Sequence, residues 1–253
     1  LQFKLKSMDW FKKWFSNKLY LELYSRRNDE EARTLINLIQ RKISFPAGAK
    51  ALDICCGSGR HSIELAKRGF DVTGFDASRY LISEAKKSAK EIKDKDVKVK
   101  FITGDMREFD YKESIHLSIN IFTSFSYFKD DAENFSVFRN AYISLRYGGW
   151  FVFDFLNADY LKKHLVPETK TKINGNLIVQ KRRIDNGFVI KDIYTGTNKK
   201  PEYSEVLKLY DYASITRELQ RIGFENEFVF GDYYGNKFSK DKSERLIIFA
   251  RKI

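Results

Sequence analysis

Two carboxylates and the turn between them constrain the chemistry of this chain more than any other residues. Residues 51–62 read Ala-Leu-Asp-Ile-Cys-Cys-Gly-Ser-Gly-Arg-His-Ser: an apolar run carrying Asp53, a turn with Gly57 and Gly59, and the opening of a helical pattern. Asp76 closes the next apolar run, Phe70–Asp76. A glycine turn between strand and helix lets backbone approach a nucleotide-like ligand, and an acid about 20 residues on is placed to hydrogen-bond a ribose. An adenosine-containing cofactor is therefore expected. Ser62 stands where the dinucleotide fingerprint has its third glycine, and Asp53 would repel a pyrophosphate but attract an ammonium.

The elements that must position these groups alternate. Residues 9–45 read as helices, with Asn28 and Glu31 as a capping pair ahead of Ala32, Leu35, Ile36 and Ile39 at helical spacing. Strands are expected at Lys50–Ile54, Asp71–Phe75, Val97–Thr103, Ile115–Phe122 and Trp150–Phe155. Helices are expected at Arg60–Arg68 (closed by Gly69), Ser78–Ile92 and Asp131–Arg146. Such alternation implies parallel crossovers with helices on both faces of a sheet.

After the fifth strand the pattern changes to β. Leu177–Ile184 and Phe188–Tyr194 flank Asn186-Gly187, a hairpin signal, and Val206–Tyr210 adds a further short run. Helix Ser214–Ile222, ended by Gly223, and strands Phe224–Phe230 and Leu246–Arg251 return to the core. The expected fold class is α/β: a Rossmann-like seven-stranded, mostly parallel sheet with an antiparallel last strand, plus a small antiparallel β insertion. Residues 1–48 form an N-terminal helical lid in this reading, 49–157 and 211–253 the cofactor-binding core, and 158–210 the insertion that covers the substrate.

Composition sets bounds. With 22 Phe and 14 Tyr among 253 residues, a large aromatic core is available and disorder is not expected. No run reaches the length of a membrane span and no secretory pattern opens the chain, so a cytoplasmic protein without membrane contact is expected. Leu1–Ser7 reads as a tag remnant or alternative start, with Met8 a native start. The two cysteines, Cys55 and Cys56, are neighbours, which excludes a disulfide framework, and the three histidines are scattered, which argues against a metal site. A net charge of +12 raises nucleic acid as a partner, but lysines in Lys86–Lys100 alternate with acids as on a solvated helix face. Nucleic acid stays possible and not favoured; both monomer and homodimer are open.

From about residue 20 to 253 the chain resembles the class I S-adenosylmethionine-dependent methyltransferases. The likeness rests on the 51–62 turn, Gly104-Asp105-Met106-Arg107, Asn120–Phe128 (Asn-Ile-Phe-Thr-Ser-Phe-Ser-Tyr-Phe), and Gly148-Gly149 before Trp150–Phe155, in order and spacing. It is nearest to small members with Cys-Cys-Gly-x-Gly-Arg-His-Ser loops. The resemblance implies S-adenosylmethionine as cofactor and S-adenosylhomocysteine as its product. It sets Asp53 near the methionine ammonium, with Cys55, Gly57, Ser58 and Gly59 around the methionine portion. Asp76 would take the ribose hydroxyls with Ala77 following; Asp105 would take the adenine amino group, with Met106 against the ring. Asn120 and Ile121 would flank the transferring methyl, with Asn120 and Tyr127 the catalytic candidates. Tyr20, Tyr24, Tyr127, Phe128, Asp154 and Asn157 would contact the acceptor. The alternative for Asn157 is a helix start; Phe122 and Phe125 read as core, and His61 as a first-turn residue against the sheet. Cys55, Ser126 and His116 depart from the Gly, Gly and Asp that relatives carry.

An acceptor of small-molecule or modified-peptide type, methylated on N or O, fits best. The chain lacks both the Asn/Asp-Pro-Pro-aromatic run of enzymes that methylate nucleobase amines and the Pro-Cys nucleophile of those that methylate pyrimidine carbon. An RNA methyltransferase, a binding protein without catalysis, and a nicotinamide dehydrogenase are the competing readings.

Overall fold

The computed structural model of the chain describes residues 10–25, 29–109, 111 and 114–253. Asn28, Arg26 and the first nine residues lie outside the described residues. Strands β1 (Lys50–Ile54), β2 (Asp71–Asp76), β3 (Lys98–Thr103), β4 (Ile115–Asn120) and β5 (Leu145–Leu156) pair in parallel in the order β3-β2-β1-β4-β5. Beyond β5 lies β11 (Arg245–Lys252), antiparallel to it, and then β10 (Phe224–Phe230), antiparallel to β11. The seven-stranded sheet is thus parallel except for its last strand in sequence, as expected.

β1 runs buried from Ala51 to Ile54 because helices cover both faces of the sheet. On one face α3 (Asp29–Lys42) and α4 (Arg60–Lys67) bury Leu35, Ile36 and Leu65 against Ala51, Leu117 and Ile119. On the other, α6 (Asp131–Ser144) and α8 (Tyr212–Ile222) bury Phe138 and Leu219 with an aromatic cluster centred on Phe125. Phe125 stacks on Phe138 (ring centroids 5.1 Å apart, 8° between planes) and meets Phe153 and Phe155 edge-on. Helix α5 (Arg79–Lys90) packs Ile82 and Ala85 on Phe101 and starts at Ser78, whose hydroxyl accepts the Leu81 N–H.

The insertion folds as a separate antiparallel sheet, β6 (Glu168–Ile173), β7 (Asn176–Asp185), β8 (Phe188–Thr195) and β9 (Tyr203–Lys208), in that order. The Asn186-Gly187 turn has φ of 47° and 80°, the left-handed pair a two-residue hairpin requires. Trp14, from the short helix α1 (Trp10–Phe15), is buried against Ile178, Ile193 and Tyr203 of this sheet. Helix α2 (Lys18–Leu23) follows, capped by Asn17, whose amide also donates to the Tyr203 hydroxyl at 2.6 Å.

Several boundaries differ from expectation, most of all those of β5, α6 and β9. β5 begins at Leu145 rather than Trp150 and α6 stops at Ser144, because Leu145 already pairs with Ile115 ahead of the two glycines. β9 covers 203–208, and Tyr210 leaves the strand to bury its ring in the aromatic cluster. β6 was not singled out as a strand: its alternation of Glu, Thr and Lys carries almost no apolar signal. Among the described residues no helix is long and apolar enough to cross a membrane.

Candidate active site

The strand order reverses direction between β1 and β4, where an open α/β sheet leaves a crevice at the carboxyl ends of its strands. A cavity of about 470 Å³ opens there. Its floor is the turn after β1. Cys55 (φ 62°), Gly57 (φ 56°) and Gly59 (φ 82°) all adopt left-handed backbone. The two glycines serve different ends. A Cβ at Gly57 would meet no atom within 4 Å, so bare backbone faces open space; a Cβ at Gly59 would lie 2.5 Å from the Phe101 ring. Gly59 is buried outside the cavity lining and lets α4 pack on the sheet.

Asp53 and Asp76 both line the cavity. Asp76 accepts the Gly57 N–H on one oxygen (3.0 Å) and the Ser78 N–H on the other (2.8 Å), tying the glycine turn to the start of α5. Each oxygen keeps a further lone pair. Burial raises its pKa, opposed by those two hydrogen bonds. Asp53 is 1 % exposed and accepts the Ser62 hydroxyl at 2.6 Å. Burial, against the Ser62 bond and aided by repulsion from Asp76, pushes it up to about 7.

This shift makes a signed prediction. The folded chain holds a proton on Asp53 up to about pH 7 that the unfolded chain releases near pH 4, so this group destabilises the fold progressively from about pH 4 to 7. The full penalty is on the order of 4 kcal/mol. Asp53→Asn, which can still accept from Ser62, is expected to melt several degrees above the parent at pH 8 and to match it only below the unfolded pKa, near pH 3. Thermal scans across that range check this; coincident midpoints at pH 8 contradict it.

Ser58, Ala77 and Met106 line the same end of the cavity. The Cys55 S–H donates to Met106 Sδ at 3.6 Å, and burial, reinforced by the neighbouring acids, keeps both cysteine thiols well above their usual range and therefore protonated. Asp105 lines the cavity too, but Arg107 clamps it: Nε and Nη2 donate to its two oxygens at 3.0 and 2.7 Å, and the Arg107 N–H adds 2.9 Å. Arg107 continues to Glu133 at 2.6 Å and lies 4.4 Å over the Phe128 ring. The Asp105 carboxylate fixes this loop rather than presenting unengaged oxygens to a ligand.

At the end of β4 the chain turns through Phe122 (φ 65°) and Thr123 (φ 63°), successive left-handed residues without a glycine. A β-branched residue there is strained and needs outside support. Asp154 supplies it. Its Oδ2 accepts the Phe122 N–H at 2.8 Å and the Tyr233 hydroxyl at 2.7 Å, while its Oδ1 accepts from Arg245 Nε at 2.8 Å. Its backbone carbonyl takes the Thr123 N–H at 3.1 Å. Asp154 is fully buried and does not line the cavity, so its expected contact with an acceptor is replaced by a positioning role.

Two other expected contacts are corrected likewise. Asn157 caps α7 (Ala158–His164), accepting the Asp159 N–H at 3.1 Å and donating to the Lys240 and Ser243 carbonyls. Asn120 is buried outside the lining, its amide donating to the Ile54 and Ser124 carbonyls at 3.1 and 3.0 Å, so it staples the β1 and β4 ends together. Ile121, Thr123, Ser124, Tyr127 and Phe128 do line the cavity. Phe122 joins them and is not core. The Tyr127 hydroxyl donates to the Thr123 carbonyl at 3.2 Å, and burial holds its pKa well above the usual range.

The roof comes from two segments distant in sequence. Trp10, Phe15, Tyr20 and Tyr24 descend from α1, α2 and the residue that ends α2; Lys191, Glu205 and Leu207 descend from β8 and β9. Trp14 Nε1 and the Tyr24 hydroxyl each donate to Glu205 Oε1 at 2.7 Å, and Lys191 pairs with the other Glu205 oxygen and with Tyr24. Burial alone would raise Glu205, but the attraction of Lys191 and these bonds hold it below the usual carboxylate range. Lys191 and Glu205 were missed in the sequence. Their signal, cross-strand opposite charges on one face of a hairpin, becomes visible only once the β8–β9 register is known.

Comparison with known proteins gives this arrangement a context. Residues 51–149 match the family model for a methyltransferase domain. Among curated relatives, YqeM of Bacillus subtilis (strain 168), provisionally named a methyltransferase, is 30% identical over 112 residues, 44% of this chain and 44% of YqeM. The match thus spans less than half the length of that relative. The fold is shared over nearly the whole chain with an S-adenosylmethionine-dependent methyltransferase from Clostridium acetobutylicum ATCC 824 (TM-score 0.75, 16% identity, 92% of this chain and 96% of that one). It is shared also with S-adenosylmethionine-bound CalS10, an amino pentose methyltransferase from Micromonospora echinaspora (TM-score 0.67, 18% identity, 94% and 98%).

Proposed function

We propose that this chain is an S-adenosylmethionine-dependent methyltransferase that transfers a methyl group to N or O of a small molecule. One observation carries the reading: a glycine turn with bare, open backbone at Gly57, placed at the sheet's switch point with buried Asp53 before it and half-buried Asp76 after it. These residues fit the donor. Asp76 has two oxygens, each with a lone pair left for a ribose diol; Asp53 is a low-dielectric partner for an ammonium; Met106 and Ala77 offer apolar contact to a purine. Bound S-adenosylmethionine supplies a methyl already activated on a sulfonium. The protein's work is then to orient and to exclude water, which can contribute roughly 7–11 kcal/mol to lowering a barrier.

The left-handed Phe122–Thr123 turn, fixed by Asp154, and the Tyr127 ring form the wall beside which the acceptor would lie. The N-terminal helices and the insertion sheet close the roof over it, consistent with roles as lid and substrate cover. A small acceptor is supported by the size of the cavity, about 470 Å³, and by the fold shared with CalS10. The protonated thiols of half-buried Cys55 and buried Cys56 speak against a cysteine nucleophile.

The test is transfer of a labelled methyl from S-adenosylmethionine in a cell extract. Label is expected in the low-molecular-mass fraction. Label confined to RNA, together with tight, salt-sensitive RNA binding, overturns the small-molecule acceptor; no labelled product despite binding of S-adenosylhomocysteine overturns catalysis.

A further inference from the structure

Two segments far apart in the sequence share one hydrophobic core. Trp14 of α1 is fully buried among Ile178, Ile193 and Tyr203 of the insertion, with Leu19 and Leu23 of α2 packed around them. Among the described residues, this cluster draws no side chain from the seven-stranded sheet or from the helices that cover it. Polar groups fasten the same contact. Glu205 of β9 accepts from the Trp14 indole and the Tyr24 hydroxyl on one oxygen, at 2.7 Å each, and pairs with Lys191 of β8 on the other. The Asn17 amide donates to the Tyr203 hydroxyl at 2.6 Å, and the Trp14 and Tyr203 rings lie 4.8 Å apart.

Toward the seven-stranded sheet, α1 makes a less polar contact. Phe11 meets Phe128 and Trp10 meets Tyr127 edge-on, 5.7 and 5.3 Å between centroids, and the Ser78 hydroxyl donates to the Phe15 carbonyl at 2.8 Å. All five aromatic side chains line the cavity, so this contact borders a void. Parting it wets rings beside that void. Parting α1 and α2 from the insertion would instead open a closed core and strip Glu205 of its indole and phenol donors, and a buried carboxylate robbed of partners is strongly unfavourable. The seam against the seven-stranded sheet is the weaker of the two.

We propose that α1, α2 and the insertion sheet move as one unit, pinned at Glu205, so that a single opening against the seven-stranded sheet both exchanges the methyl donor and uncovers the acceptor pocket. This rests on the methyltransferase reading above. α1 covers the donor end, where Phe15 meets Ser78, two residues beyond Asp76. Leu207, two residues beyond Glu205, covers the cavity from β9. Neither cover lifts without the other while Glu205 holds them together. The insertion re-enters the core where the Lys208 N–H donates to the Ser126 carbonyl at 3.1 Å and Tyr210 buries its ring in the aromatic cluster, which sets the pivot at the end of β9. Glu205 is thus a positioning residue: it works through the side chains it holds, not on a reactant.

The test follows Trp14 and the release of S-adenosylhomocysteine in the whole chain. Trp10→Phe with Trp150→Phe leaves Trp14 as the sole tryptophan. Acrylamide is expected to quench it weakly, with less than about a twofold change on adding S-adenosylhomocysteine, because Trp14 stays buried whether the unit is open or closed. Strong quenching in the free chain that S-adenosylhomocysteine suppresses would show the helices leaving the insertion, and overturns the proposal. Asn17→Cys with Tyr203→Cys, bridged by a short bismaleimide, is expected to release S-adenosylhomocysteine within about twofold of the parent given the same reagent. A bridge that traps the ligand overturns the proposal. Glu205→Ala is expected to speed release about tenfold and to expose Trp14 to the quencher. Glu205→Gln, which keeps an acceptor for Trp14 and Tyr24, should lie between alanine and parent. Release at the parent rate in both Glu205 variants overturns the proposal too. A parent that fails to bind S-adenosylhomocysteine removes the methyltransferase reading instead, and Trp14 quenching in the free chain still decides whether helices and insertion form one unit.

Discussion

Asp154→Ala is expected to melt roughly 10 °C below the parent and to lose methyl transfer even where it remains folded. Asp154 is fully buried at the end of β5 and answers four donors: Arg245, Tyr233, and the Phe122 and Thr123 amides. Alanine keeps the backbone carbonyl for Thr123 but removes the carboxylate, leaving the Arg245 guanidinium without its counter-charge. Breaking a buried ion pair on one side costs about 3–5 kcal/mol. For a chain of this size each kcal/mol moves the midpoint by about 2–4 °C; Arg245 keeps some access to solvent through the cavity, which favours the lower end. The second loss is local. Without the bond to the Phe122 N–H, two non-glycine residues have less reason to remain left-handed, and the acceptor wall relaxes. Thermal scans and transfer assays separate the effects: unchanged melting with full transfer would show that the turn holds itself.

Asp76→Ala is expected to weaken S-adenosylhomocysteine binding about 100-fold. A carboxylate receiving two ribose hydroxyls makes two charge-assisted bonds, each of about 1.5–3 kcal/mol. The carboxylate also carries the Gly57 and Ser78 amides, so it is more than a surface acid and its loss should lower the melting midpoint by a few degrees. Asp76→Asn tells the two roles apart. It keeps one oxygen for an amide but turns the other into a donor, so binding should fall nearly as far as in the alanine variant. Titration calorimetry of the three proteins is the measurement. Equal affinities would remove Asp76 from the donor site.

Much of the core was legible because its signals are local. Lys50–Ile54 is an apolar strand ended by a glycine turn, Gly69 and Gly223 sit left-handed where helices stop, and Asn186-Gly187 closes its hairpin. β6 escaped because an edge strand of Glu, Thr and Lys buries little, and the early start of β5 because its first pairing partner, Ile115, is 30 residues away. The site was legible where backbone chemistry defines it, at Gly57, Asp53 and Asp76. It was not legible where a polar side chain could turn either way. Asn120, Asp154 and Asn157 occupy the right strand ends, yet their side chains are engaged inside the protein: the two asparagine amides donate to backbone carbonyls and the Asp154 carboxylate accepts from Arg245. Lys191 and Glu205 belong to an insertion whose register no single strand announces, and the packing need at Gly59, where a Cβ would strike the Phe101 ring, is visible only in three dimensions.

One measurement bears most directly on the whole account: a crystal structure of the chain grown with S-adenosylhomocysteine. The ligand's ribose is expected on Asp76, its amino-acid end over the Gly57 backbone beside Asp53, and its purine between Ala77 and Met106. Density for the ligand anywhere other than the β1–β4 crevice, or a crevice that stays closed to it at saturating concentration, would contradict the account.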